Sequence, residues 1–138
     1  MAVKLTPRME SWLEHLGAHV AVARPGEWPT IVVANACECE EGQVCICLTE
    51  KQRWQIEEVV GENDRVAIAP GGLGAVRAPY QFKGRGSLDG NVLKVSVDQI
   101  YCTRPGCEAG KRMDVMEYDD MCEYDVTRWK DIDPPGVA

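Results

Sequence analysis

Long apolar runs are missing from this chain of 138 residues. No stretch approaches the roughly 18 apolar residues that cross a bilayer. Met1-Ala2-Val3-Lys4-Leu5 opens no apolar region of the kind a secretory signal needs. Basic residues are also short: 15 Lys and Arg stand against 22 Asp and Glu, a formal net charge of −7. That balance argues against a general nucleic-acid or anionic-membrane binder. Histidine is scarce, with only His15 and His19. His15 lies between helical apolar positions and His19 begins a strand, so both are read as surface or structural residues rather than catalytic bases. The glycines of Pro70-Gly71-Gly72-Leu73-Gly74 have neither Walker nor dinucleotide spacing, so they read as a flexible connection. These absences point to a cytoplasmic protein with no nucleic-acid and no membrane partner.

Cysteine is plentiful. Seven in this length is an odd number, and without an export signal a disulfide scaffold is not expected. The hydrophobic fraction of 45% suits a globular domain with a real core. Thr6-Pro7 reads as a helix start, Met9, Trp12, Leu13 and Leu16 recur at helical spacing, and Gly17 closes the helix. Strands are expected at His19–Ala23, Pro29–Ala36, Val44–Leu48, Arg65–Ala69, Tyr80–Leu88 and Val92–Tyr101, with hairpin turns at Glu40–Gln43 and Asp89-Gly90. A second helix is expected up to about Val60, with Gly61 as its stop. The fold class is therefore mainly β with flanking helices, a barrel of about six antiparallel strands. Residues 1–112 carry this domain. Residues 113–138 read as an acidic, irregular C-terminal tail, packed on the same domain or on a partner subunit.

The segment Leu48-Thr49-Glu50-Lys51-Gln52-Arg53 is the strongest local signal. It passes from an apolar strand into a helix, and Thr49 with Gln52 three residues later spells a capping box. A helix start with free backbone amides favours an anion. Lys51 and Arg53 add positive charge there, and Glu50 subtracts some. An ordinary capped surface helix with solvated charges is the competing reading.

The cysteines pose a separate question. Cys37 and Cys39 share one face of a strand, as do Cys45 and Cys47 across the hairpin. If Cys39 opposed Cys45, four sulfurs would converge as tetrahedral zinc or iron ligands. A slip of one residue would put the pairs on opposite faces. The spacing is not that of a zinc knuckle, so buried core thiols are the preferred reading and no metal is assigned. Cys102, Cys107 and Cys122 match no defensible motif. The tryptophans Trp12, Trp28, Trp54 and Trp129 read as core or interface residues, with Trp28 a partly buried packing residue.

The order of these elements resembles the FMN-binding split barrel of the pyridoxamine 5′-phosphate oxidase-like proteins. The resemblance rests on four segments over about residues 5 to 112: a helix, strand and turn leading to Pro29-Thr30-Ile31-Val32-Val33; Leu48 to Val60 with Glu62-Asn63-Asp64-Arg65-Val66-Ala67-Ile68; Tyr80-Gln81-Phe82-Lys83-Gly84-Arg85-Gly86; and Ile100-Tyr101, Pro105-Gly106 and Ala109-Gly110-Lys111-Arg112. It implies a homodimer with FMN at the subunit interface. The flavin ring would lie near Val33, Ala34, Asn35 and Ala36. The phosphate would meet Thr49, Lys51, Gln52 and Arg53, with Gln81 as a further candidate. It implies a small flavin-dependent oxidoreductase or electron-transfer protein. Pyridoxamine phosphate oxidase activity itself is not expected, because its substrate-phosphate residues have no counterparts here. The alternatives are a non-catalytic flavin-binding module and a cysteine-rich metal-binding structural protein.

Overall fold

The computed structural model describes residues 3–71, 80–103, 110 and 112. The chain runs α1 (Pro7–Leu16), β1 (Ala18–Val22), β2 (Thr30–Ala34), β3 (Ala36–Glu40), β4 (Gln43–Cys47), α2 (Glu50–Glu62), β5 (Arg65–Pro70), β6 (Tyr80–Asp89) and β7 (Val92–Cys102). The strands form one antiparallel sheet in the order β2-β1-β5-β6-β7-β4-β3. β2 and β3 lie at opposite edges, yet only Asn35 separates them in the chain. A sheet whose two edges are joined by one residue must curl. The result is a split barrel with two flanking helices.

This makes seven strands where about six were expected. The expected strand Pro29–Ala36 divides at the exposed Asn35, and its second part pairs with β4. Gly17 sits against this bend. Its φ is 75°, and a Cβ there would run into the carbonyl of Ala34, so the turn from α1 into β1 needs glycine. α2 passes through Gly61 to Glu62 and is capped by Asn63, not stopped at Gly61. A helix-interior glycine weakens a helix without ending it, and Val59 and Val60 hold this turn against the core.

Alternation along each strand divides the molecule into two faces. Val20, Val32, Ile46, Ile68, Phe82 and Ile100 point inward and are fully or nearly buried. Met9, Trp12 and Leu13 of α1 cover this core on the β3 side, and Ile56, Val59 and Val60 of α2 cover it against β1, β2 and β6. Each large apolar side chain buried this way contributes about 1.5–3 kcal/mol of transfer free energy. Arg24 after β1 reaches Glu62 at 2.6 Å and Glu58 at 3.3 Å, and Asn63 Nδ2 donates to the Ala23 carbonyl at 2.8 Å. These contacts fix the C-terminal end of α2, although exposed ion pairs add little stability.

The hairpin register decides the cysteine question. Cys37 faces Ile46, Cys39 faces Val44, Glu38 faces Cys45 and Ala36 faces Cys47. The two cysteine pairs therefore lie on opposite faces of the sheet, and the condition for a four-sulfur site is not met. The turn closes through Glu41 and Gly42, with Gly42 at φ 76°. That two-residue closure fixes the register.

Trp12 is buried as expected, but Trp28 is 93% and Trp54 75% exposed. The expectation of a packed Trp28 fails: it lies in the connection between β1 and β2, outside both strands, with its side chain exposed. Cys107, Cys122, Trp129, Gly72, Gly74 and the expected tail 113–138 lie outside the described residues. No helix among the described residues is long and apolar enough to cross a membrane.

Candidate functional site

The start of α2 is held by bonds from three directions. Leu48 N donates to the Asn91 carbonyl at 2.8 Å, anchoring the end of β4 beside the β6–β7 turn. Thr49 is extended, with φ −71° and ψ 160°. Its hydroxyl accepts from Gln52 N, and Gln52 Oε1 accepts from Thr49 N, both at 3.1 Å. The capping box expected from the sequence is therefore present. Gln52 Nε2 also donates to the Val33 carbonyl at 2.7 Å. That bond ties the helix start to β2, an edge strand whose outward carbonyls lack a neighbouring strand. Both ends of the Gln52 amide are thus engaged. Gln52 positions the site rather than offering itself to a ligand.

What remains free is cationic. The amides of Glu50 and Lys51 have no acceptor within the helix, and the helix dipole makes that end positive. Lys51 is exposed. Arg53 is half-buried, and its Nη1 donates to Glu57 Oε2 at 2.9 Å. Its Nε is buried and has no hydrogen-bond partner among the described residues. Buried guanidinium N–H groups are almost always paired, so an orphan of this kind marks a place where an acceptor belongs. The donor set fits a phosphate: Thr49 at the cap, Lys51 in solvent, and a guanidinium with an unused buried N–H.

The ring-side candidates are divided by the strand pleat. Val33 is half-buried, Ala34 faces the core, and Asn35 and Ala36 are exposed at the bend. Val33, Asn35 and Ala36 can meet a planar ligand, while Ala34 contributes only backbone. Gln81 is half-buried on β6, three strands from β2 in the sheet. That is three strand spacings, roughly 14 Å across the sheet from β2. His15 is exposed and its Nδ1 lies 2.8 Å from the Ser11 carbonyl, as a surface histidine would. His19 is exposed on β1 and registered opposite Val33.

The thiols differ by face. Burial pushes the Cys37 thiol up to about 12, helped by charge at Cys47 and Glu14. Burial likewise pushes Cys39 up to about 12, with Glu14 and Glu10 adding to it. Both are neutral at physiological pH and behave as core residues. Among the described residues no group of three or more His, Cys, Asp or Glu is arranged to hold a metal.

Sequence reasoning missed a second feature, a concavity of roughly 570 Å³ on the outer face of β1, β5, β6 and β7. Arg65, Lys83 and Arg85 line it over a floor that includes Ala21, Ala67 and Gly84. Strand alternation could have placed all three cations on one face. Their adjacency depends on the β5–β6 register, which the sequence does not reveal.

No protein-family model matches the chain, and no curated protein matches it. Two solved structures are similar. HupZ from Group A Streptococcus superposes with a TM-score of 0.57 at 17% identity, covering 77% of this chain and 99% of that one. A histidine-to-alanine variant of HupZ gives a TM-score of 0.53 at 16% identity, covering 70% of this chain and 97% of the other. At such identity the likeness speaks to architecture. The chain and HupZ share a fold, and in this chain that fold is the split barrel.

Proposed function

We propose that this protein is a small FMN-binding flavoprotein, acting as a flavin-dependent oxidoreductase or electron-transfer protein. The observation that carries the reading is the orphaned Arg53 Nε beside the capped, cationic start of α2. Thr49, Lys51 and Arg53 would hold the phosphate, and the Val33–Ala36 segment would meet the ring. When bound, the flavin supplies the redox chemistry, and the protein supplies orientation and exclusion of water. Gln52 keeps the two parts of the site in register by joining the helix start to β2.

The working form in this reading is a cytoplasmic homodimer with the flavin at the subunit interface. Residues 1–112 form the flavin domain, and residues 113–138 pack on it or on the partner. Support comes from apolar side chains left uncovered on one chain: Trp28, Trp54 and Ile31, the last 62% exposed.

Titration of the purified protein with FMN and with riboflavin, followed by visible absorption, tests the reading. FMN should bind at about 1 µM or tighter. Riboflavin, which lacks the phosphate, should bind at least roughly tenfold more weakly, since a charge-assisted contact contributes about 1.5–3 kcal/mol. Light scattering should give twice the chain mass of 15.3 kDa. A monomer that holds FMN would overturn the interface assignment, and equal affinity for both ligands would overturn the phosphate assignment.

A further inference from the structure

The outer-face concavity is built against the ordinary rules of sheet stability. β5 and β6 pair so that Arg65 stands directly opposite Arg85, and Ala67 opposite Lys83. Like charges directly across a strand pair are destabilising. Here two guanidinium groups and an ammonium gather on one face of a chain whose net charge is −7. Among the described residues only Arg85 is compensated by carboxylates, with Asp64 at 3.0 Å and Asp98 at 3.8 Å. Lys83 Nζ stands 4.5 Å over the ring of Tyr101, which leaves its N–H donors available. The Arg65 guanidinium has no acceptor among the described residues.

The backbone is shaped for the same place. The β6–β7 register shifts between Lys83 and Gly84, so β7 carries one extra residue, Asp98, between Gln99 and Val97. A bulge of this kind re-aims side chains, and Asp98 and Gln99 both line the concavity. Gly84 lies flat against the bulge, and a Cβ there would clash with the Ser96 carbonyl. The floor of Ala21, Ala67 and Gly84 keeps the space open. Its volume is within the range of small-molecule sites.

We infer that this concavity is a binding site for a small phosphorylated molecule, distinct from the α2 start, in which Arg65, Lys83 and Arg85 hold the phosphate. Two guanidinium forks and one ammonium suit a dianionic, multi-oxygen group better than a single carboxylate. Asp64, hydrogen-bonded to Arg85 Nη1 at 3.0 Å, orients Arg85. The ligand lifts the Arg65–Arg85 repulsion by placing negative charge between them. The inference does not depend on flavin binding.

Inorganic pyrophosphate is the probe, titrated by calorimetry into the full chain and into two variants. With the α2 cations removed by Lys51→Ala/Arg53→Ala, adding Arg65→Gln should weaken pyrophosphate at least about tenfold. The same substitution should raise the unliganded melting midpoint by roughly 1–3 °C, because it removes a like-charge pair. Arg65 is exposed, so the variant should fold. The double variant Lys51→Ala/Arg53→Ala should leave pyrophosphate affinity unchanged at this site. Wild-type protein that does not bind pyrophosphate at millimolar concentration would overturn the inference. So would binding that survives Arg65→Gln in the Lys51→Ala/Arg53→Ala background, or binding abolished by the Lys51→Ala/Arg53→Ala variant alone, which would assign the anion to α2.

Discussion

Phe82 and Lys83 are neighbours on β6 and belong to different parts of the protein. Phe82 is fully buried among Tyr80, Ile68 and Ile100, 5.9 Å from the Tyr80 ring. Lys83 stands on the outer face over Tyr101. The same division repeats along most of the sheet, with β4 departing from it where Val44, Cys45 and Ile46 are all buried. The inner face is large and apolar and determines the fold. The outer face combines alanines with cations, and it is there and at the adjoining edge that a ligand can be met. Among the described residues helices cover one side of the sheet only, which leaves the other face for chemistry.

The division can be broken most sharply at Phe82. Phe82→Ala should cost about 3–5 kcal/mol in urea unfolding, the usual range for emptying a fully packed aromatic site. Lys83→Ala should cost less than about 1 kcal/mol, the value of an exposed cation–π contact. Equal losses would mean that the two faces are not separate in energy.

Alkaline pH sharpens the comparison through the thiols. The unfolded chain ionises its cysteines near pH 9, whereas Cys37 and Cys39 in the fold hold their protons to about 12. Between those values the folded state binds more protons than the unfolded one. Stability is therefore fully present below about pH 9 and falls as pH rises toward 12. A Cys37→Ala/Cys39→Ala variant should show a shallower alkaline loss in chemical unfolding at pH 8 and at about pH 10.5. An unchanged slope would contradict the burial of these two thiols.

A smaller effect separates the faces at neutral pH. Cys47 is exposed, and Cys37 is buried behind it. Iodoacetamide followed by peptide mapping should label Cys47 well before Cys37 or Cys39. Simultaneous labelling of all three would mean that the β3–β4 hairpin opens on the timescale of the reaction.

Much of this was legible in the residues because it is local. Thr6-Pro7 and the Thr49–Gln52 capping box lie within four residues of chain, and both helix starts stand where the sequence puts them. The break at Asn35 was not legible. Asn35 is the one polar residue after Thr30 in this run, but a lone asparagine does not by itself end a strand, and the division arises because the barrel must close there. The cysteine register was half-legible. Placing Val44 and Ile46 in the core already sends Cys45 and Cys47 outward, but which residues oppose them depends on how many residues the turn uses. The Arg65–Arg85 pairing joins residues far apart in the chain, and no local motif encodes it. The unpaired Arg53 Nε needed coordinates altogether, since only burial distinguishes it from an ordinary surface arginine.

One measurement meets the proposed phosphate cradle at the α2 start directly. The double variant Lys51→Ala/Arg53→Ala should be titrated with FMN and with riboflavin beside the wild-type protein. FMN affinity should fall at least roughly tenfold per lost contact while riboflavin affinity stays the same, because only FMN carries the group these side chains hold. Equal losses for the two ligands, or none for either, would contradict the account.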